Sequence, residues 1–213
     1  MLITDFGDGL YRIAVPFEDI YTAVFAVGSP DRYLLIDCAT TGADVDTVIL
    51  PALREMGWTN PPEALLLTHR HGDHAGGTER LRAHFPSLRV FSPEPLKTED
   101  STLLCGGETF LDRIEAVSLP GHTASSMGYL DRQTGTLLSG DTLQLFGISR
   151  YRNGIRYPKL YRASVEQIRK MPLLRIIASH EYDPLGACAE GRKAIETYLD
   201  TCLSACPRAD LDP

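Results

Sequence analysis

An α/β fold with two mixed sheets between outer helices is predicted for this chain of 213 residues. Three observations predict it. Apolar runs of strand length alternate with helical periodicities along the chain, the strand candidates fall into two halves, and histidine or aspartate recurs just past strand ends. At this size roughly 70% of the unfolded chain's surface can be buried, so the core needs neither disulfides nor metal, and any metal is left for chemistry. No internal repeat, low-complexity segment or long linker divides the sequence, and a single domain over residues 1–213 is expected.

The elements follow in order. Leu10 to Val15 and Tyr21 to Val27 are rich in β-branched and aromatic residues, and Asp31-Arg32 turns the chain into Tyr33 to Asp37, which makes a β-meander. Asp44 is placed to cap a helix whose apolar positions Val45, Val48, Ile49, Leu53 and Met56 recur at helical spacing until Gly57 ends it. Ala64 to Leu67 is wholly apolar, as suits a strand buried on both faces. A short helix from about His74 to His84 and a strand at Leu88 to Phe91 come next. Further strands are expected at Ile114 to Leu119, Met127 to Asp131 and Thr136 to Ser139. Ala163 to Lys170 reads as a helix and Arg175 to Ala178 as a buried strand. Gly186 to Cys206 reads as a long terminal helix with Ala187, Ile195, Tyr198 and Leu199 among its apolar positions.

Composition narrows the function classes. Apolar residues are 43% and charged residues 23%, and no apolar stretch approaches the roughly 20 residues that cross a bilayer, so no membrane partner is expected. Met1-Leu2-Ile3-Thr4-Asp5 lacks the basic-then-apolar pattern of a secretory leader, from which a cytoplasmic setting is expected. The net charge of −7 argues against a large nucleic-acid partner, because phosphate contacts need clustered cations. Five cysteines, an odd count with no Cys-x-x-Cys pair, read as reduced thiols, with Cys202 and Cys206 as small buried hydrophobes.

The chemistry concentrates in Thr68-His69-Arg70-His71-Gly72-Asp73-His74, where an apolar strand gives way to a helix. In an extended segment His69 and His71 project to the same side and can reach one ion, while the turn at Gly72 swings Asp73 and His74 toward a second. Chance odds of this spacing are roughly 3 in 10,000 at ordinary residue frequencies. Imidazole and carboxylate donors suit zinc, and also iron or manganese. Three later segments have the form of further ligands: Pro120-Gly121-His122-Thr123, Ser139-Gly140-Asp141-Thr142 and Ser179-His180-Glu181-Tyr182.

These motifs, in this order, resemble the metallo-β-lactamase superfamily over nearly the whole chain, including Leu35-Ile36-Asp37-Cys38-Ala39-Thr40-Thr41-Gly42 at its start. The resemblance implies an αββα sandwich and two divalent metal ions, with zinc the expected ion. His69, His71 and His122 would hold one ion, Asp73, His74 and His180 the other, and Asp141 would bridge them. Asp73 and Asp141 are thereby the carboxylates expected to take part in catalysis. An aspartate at the bridging position resembles the thioesterases, lactonases and phosphodiesterases of the superfamily rather than the antibiotic-hydrolysing enzymes. Two ions about 3.5 to 4 Å apart would acidify a water held between them, so the reaction needs no serine nucleophile and Ser125 and Ser126 receive no role. Asp37 reads either as a carboxylate orienting a ligand histidine or as a turn cap.

The expected substrate is a small thioester, ester or lactone with an anionic group. Residues 147–162 carry Arg150, Arg152, Arg156, Lys159 and Arg162 with no acidic residue, interleaved with Tyr151, Tyr157 and Tyr161, as a carboxylate- or phosphate-binding loop would. Tyr182 resembles the tyrosine that helps hold the thioester in glyoxalase II, and Arg150 and Tyr151 resemble residues of its substrate loop. Arg150, Tyr151 and Tyr182 are therefore the substrate-binding candidates. The chain ends at Pro213, without that enzyme's C-terminal helical region, which favours the broader substrate class. Two alternatives stay open: a persulfide dioxygenase-like oxidoreductase with one iron on His71, His122 and Asp141, and a hydrolase of small phosphodiesters. His84 reads as a surface residue.

Overall fold

The alternating apolar residues at the start of the chain form an antiparallel meander of β1 (Ile3–Asp5), β2 (Leu10–Phe17), β3 (Ile20–Ser29) and β4 (Arg32–Ile36). Its register sets Ile13 opposite Val24 and Ala26 opposite Leu35, so the period-2 pattern puts all four in one core. These are features of a computed structural model that describes residues 3–96, 100–145, 154–181 and 185–207. The chain divides between Leu104 and Cys105 into two compact units, each with its own mixed sheet and its own apolar core.

In the first unit the meander continues as a parallel array through β5 (Ala64–Leu66), β6 (Arg89–Ser92) and β7 (Ser101–Leu103), giving seven strands in sequence order. β5 has parallel neighbours on both sides and every residue buried, which is why its sequence is an unbroken apolar run. The crossover from β4 to β5 holds α1 (Gly42–Asp44), a π-helical turn at Val45–Ile49 and α2 (Leu50–Glu55). Thr41, not Asp44, is the cap. Its hydroxyl accepts the Asp44 N–H while the Asp44 carboxylate accepts the Thr41 N–H, so Asp44 is the third-residue partner of a capping box. Val45, Ile49 and Leu53 pack on the sheet, with Trp58 edge-on to Tyr11 and tilted against Tyr33.

The helix expected over His74 to His84 is two helices, α3 (Gly72–Ala75) and α4 (Thr78–His84), broken at Gly76-Gly77. A Cβ at Gly76 would lie 1.8 Å from the Thr40 carbonyl oxygen, and one at Gly77 would lie 2.2 Å from that of Cys38. The pair of glycines lets the end of the histidine segment press against the turn after β4.

The second unit has six strands in the order β13-β12-β11-β10-β9-β8: β8 (Thr109–Phe110), β9 (Ile114–Ser118), β10 (Met127–Asp131), β11 (Thr136–Leu138), β12 (Arg175–Ile177) and β13 (Cys188–Glu190). β9, β10 and β11 alternate in direction and β12 runs parallel to β11. It follows that β9, β11 and β12 all end at the same edge of the sheet. α5 (Pro158–Arg169) and α6 (Arg192–Ala205) bury Tyr161, Val165, Ile168, Ile195, Tyr198 and Leu199 against it. α5 starts five residues before the expected helix because Pro158, with φ preset and no N–H to satisfy, sits at its first turn. The long helix expected from Gly186 is shorter. Cys188 to Glu190 pairs antiparallel with β12 as an edge strand, and Gly191, at φ +80°, turns the chain into α6.

The fold class is therefore the α/β class predicted, with two mixed sheets and flanking helices. Among the described residues no helix is long and apolar enough to cross a membrane. Cys38, Cys202 and Cys206 are buried free thiols, while Cys105 and Cys188 are exposed. Burial pushes the Cys38 and Cys202 thiols up to about 12, so neither is a nucleophile near neutral pH.

Candidate metal centre

In the first unit the ligand candidates hang on one buried carboxylate. Asp37 follows β4 in the left-handed conformation, at φ +59°, and is fully buried. One of its oxygens accepts the Thr68 N–H at 2.8 Å, and the other accepts the Thr68 hydroxyl at 2.8 Å and lies 2.7 Å from His74 Nδ1. The Thr68 hydroxyl has one proton and gives it to Asp37, so toward His69 Nδ1, 3.0 Å away, it is an acceptor. Both His69 and His74, assigned from this network, carry their proton on Nδ1 and turn an Nε2 lone pair outward. Of the two readings of Asp37 the structure carries the orienting one: its carboxylate meets His74 and Thr68, 37 and 31 residues away, and caps no local turn. Burial pushes its carboxyl up from the ordinary value, against the opposing pull of His74 and of both Thr68 donors.

His71 is the residue before α3, in extended conformation, which sets Asp73 and His74 on the first turn. His69 Nε2 and His71 Nδ1 lie 2.9 Å apart, and Asp73 Oδ2 lies 3.2 Å from His74 Nε2. His69 and His74 are fully buried and His71 is half-buried. Convergent imidazole nitrogens held in one tautomer, beside a carboxylate, are the donor set a divalent cation takes. A cavity of about 560 Å³ in this unit has His71, Arg70, Glu79, Ala75, Thr78 and Leu96 among its lining residues. Arg70 Nε lies 3.2 Å from a Glu94 carboxylate oxygen.

In the second unit the three remaining candidates leave the common edge where β9, β11 and β12 end. His122 Nδ1 donates to the Gly154 carbonyl at 2.9 Å, which again leaves Nε2 as the candidate ligand nitrogen. Asp141 divides its carboxylate: Oδ2 lies 3.6 Å from His122 Nε2 and Oδ1 lies 3.3 Å from His180 Nε2. All three residues are at most 7% exposed. The Thr142 hydroxyl, next to Asp141, donates to the Leu119 carbonyl, tying the Asp141 turn to the strand end that leads to His122. Ser126 Oγ accepts the Thr123 N–H and meets the Thr123 hydroxyl, so this hydroxyl shapes the turn after His122.

Arg150, Tyr151 and Tyr182 lie outside the described residues, as does Arg152. The described end of the basic segment departs from a ligand-binding loop. Tyr161 is fully buried, and Arg162 is spent on the Cys206 and Pro207 carbonyls. Arg156 and Lys159 are exposed. His84, on the surface as expected, lies 2.8 Å from Asp46, which also takes both oxygens' worth of Arg80 Nε. Sequence reasoning gave no role to Thr68, Arg70 or Gly154. Thr68 stood in the motif and could have been found by asking what holds His69 in one tautomer. Gly154 acts through a backbone carbonyl, which no side-chain pattern reveals.

The comparisons with known proteins point the same way. The family model of the metallo-β-lactamase superfamily matches residues 18–97. A hydroxyacylglutathione hydrolase from Yersinia enterocolitica is 35% identical over 176 residues, covering 80% of this chain and 65% of its own length. One from Enterobacter sp. is 32% identical with the same coverage. The chain thus spans less than two thirds of the length of these relatives. Among solved structures, a metallo-β-lactamase from Erythrobacter litoralis superposes with a TM-score of 0.74 at 19% identity, covering 95% of this chain and 96% of that one. The metallo-β-lactamase FIM-1 from Pseudomonas aeruginosa gives 0.75 at 16% identity, covering 97% and 96%. The metallo-β-lactamase superfamily profile thus matches the stretch that holds the histidine motif, and the chain shares the fold of solved metallo-β-lactamases over nearly its whole length.

Proposed function

We propose that this protein is a metal-dependent hydrolase with two divalent ions, zinc as the expected pair, acting on a small thioester, ester or lactone that carries an anionic group. In this reading His69, His71 and His122 hold one ion, Asp73, His74 and His180 the other, and Asp141 serves both. The observation that carries it is the division of Asp141, one oxygen toward His122 and the other toward His180, as a bridging carboxylate requires. The hydroxyacylglutathione hydrolases among its relatives support the thioester end of the substrate range. When bound, the ions supply an acidified water and a Lewis acid for the attacked oxygen.

The chain's own residues do the rest. Thr68, Asp37 and the Gly154 carbonyl fix the tautomers of His69, His74 and His122, so each offers Nε2 without reorganising. Arg150, Tyr151 and Tyr182 remain our candidates for substrate contacts. Five free cysteines suit a reducing compartment, and we take the cytoplasm as the setting.

Asp37→Ala is expected to lower metal affinity by about 10- to 100-fold, because His74 Nδ1 and both Thr68 donors lose their shared acceptor. Competition with a chromophoric chelator measures it, and an affinity equal to that of the parent protein would remove Asp37 from the ligand scaffold. The functional reading is tested by hydrolysis of a panel of thioesters, esters and lactones under nitrogen. Acid release without oxygen is the expected result. Oxygen uptake on a persulfide, with no hydrolysis of any panel member, would overturn it in favour of a single-iron oxygenase.

A further inference from the structure

The two ligand-bearing turns of the second unit are both held by one helix, and one residue of that helix touches both. The Tyr161 hydroxyl accepts the Gln144 N–H at 3.1 Å and lies 2.9 Å from the Gln144 carbonyl, to which it donates, with the Cys202 carbonyl at 3.4 Å as a second acceptor. Gln144 in turn donates its side-chain amide to the Asp141 carbonyl at 2.7 Å, closing the loop that carries Asp141. At the other end of the same residue, the Tyr161 backbone lies against Gly121. A Cβ at Gly121 would sit 2.6 Å from Tyr161 Cα, so only glycine fits before His122. Neighbours in α5 and its approach repeat the pattern. Ser164 Oγ donates to the Pro120 carbonyl at 2.7 Å, and the Arg156 and Tyr157 N–H groups donate to the Gly121 carbonyl.

We propose that Tyr161 is a positioning residue for the metal centre: its backbone seats the His122 turn and its hydroxyl locks the Asp141 loop, so that the two ligands keep a fixed register. The inference rests on the binuclear reading above, in which these two residues are ligands. A buried phenol could serve packing alone, but packing needs only the ring. Tyr161 is fully buried, and burial raises its pKa well above the ordinary value, so the hydroxyl keeps the proton it donates. Both hydrogen-bonding directions of the hydroxyl are used on the backbone of a single residue, Gln144, three positions past Asp141. Such a two-point attachment fixes the orientation of a loop, which one bond does not.

The test is Tyr161→Phe, which keeps the ring and removes the latch. Tyr33→Phe is its control, since Tyr33 is equally buried and its hydroxyl donates to the Asn60 carbonyl, away from every ligand candidate. Zinc affinity is read by chelator competition on both variants and the parent, and apoprotein stability by urea unfolding. Tyr161→Phe is expected to weaken zinc binding about 10-fold, with Tyr33→Phe unchanged in affinity although its apoprotein also loses stability. Equal affinity in Tyr161→Phe and the parent, whatever the stability, would overturn the inference and leave the binuclear reading standing. A parent protein that binds no zinc, iron or manganese would overturn the underlying reading itself. If Tyr161→Phe does not fold, Gln144→Ala, which frees the Asp141 carbonyl without touching the core tyrosine, is expected to give the same loss of affinity. Unchanged affinity there overturns the inference equally.

Discussion

His71→Ala is expected to lower kcat/KM for hydrolysis on the order of 10³-fold or more while leaving the apoprotein as stable as the parent. The first half follows from the role assigned to the imidazole. A loss of that size is about 4 kcal/mol of transition-state stabilisation, the scale on which a bound metal acts. The second half follows from the local structure. His71 precedes α3 in extended conformation and makes no capping bond there, it is only half-buried, and α3 is held instead by the Asp37 network and by the Gly76-Gly77 contact with the turn after β4. Activity and stability are therefore separable at this residue, as they are not at buried His69 or His74. A variant retaining more than a tenth of parental kcat/KM would contradict the ligand assignment.

Asp131→Ala is expected to destabilise the protein by about 3 to 5 kcal/mol, the range for stranding one partner of a buried ion pair. The Asp131 carboxylate is fully buried at the end of β10. Oδ1 accepts Arg113 Nε at 2.7 Å and the Gln133 N–H, while Oδ2 accepts Arg113 Nη2 at 2.6 Å and the Thr134 hydroxyl. Removing it leaves a guanidinium whose side chain is only 11% exposed without its counter-charge and opens the β10–β11 turn. Burial alone pushes the Asp131 carboxyl up, but Arg113, Thr134 and Gln133 together outweigh it and hold the carboxyl below the ordinary range. The stability this contributes is present above the unfolded-state pKa and is lost as pH falls through the lower folded-state value. Below about pH 4 the parent should therefore lose stability more steeply than Asp131→Asn. Urea unfolding from pH 7 to pH 2.5 measures both effects. A midpoint for Asp131→Ala within experimental error of the parent would contradict the account.

The legible parts of the fold were those with a local period or an unbroken apolar run. β5 and β10 could be read because a buried parallel strand and an alternating strand each leave a pattern within a few residues. Residues 186–190 could not, because a short edge strand followed by a helix looks like one apolar segment until the pairing with β12 is known. The Thr41 and Asp44 capping box misled for a related reason, since either residue is a good cap and only backbone geometry tells first from fourth.

The ligand candidates were legible because they cluster beside strand ends and recur in residue type. Their supports were less so. Asp37 could be read as orienting a histidine, but its reach to His74 across 37 residues could not be read; His122 finds the Gly154 carbonyl across 32 and Tyr161 finds Gln144 across 17. Such separations have no period, and the last two partners act through backbone atoms. The described end of the basic, tyrosine-rich segment, residues 154–162, shows the opposite error. Its spacing suggested a ligand loop, yet Tyr161 and Arg162 are used inside the protein because α5 begins at Pro158 and turns them onto the core and the end of α6.

The measurement that tests the central claim most directly is the metal content of the protein purified without added metal, and again after reconstitution and removal of excess ion. Two ions of zinc, iron or manganese per chain, falling to one or none in Asp141→Ala, is the predicted result. A single ion per chain in the parent after reconstitution, unchanged in Asp141→Ala, would contradict a binuclear centre bridged by that carboxylate.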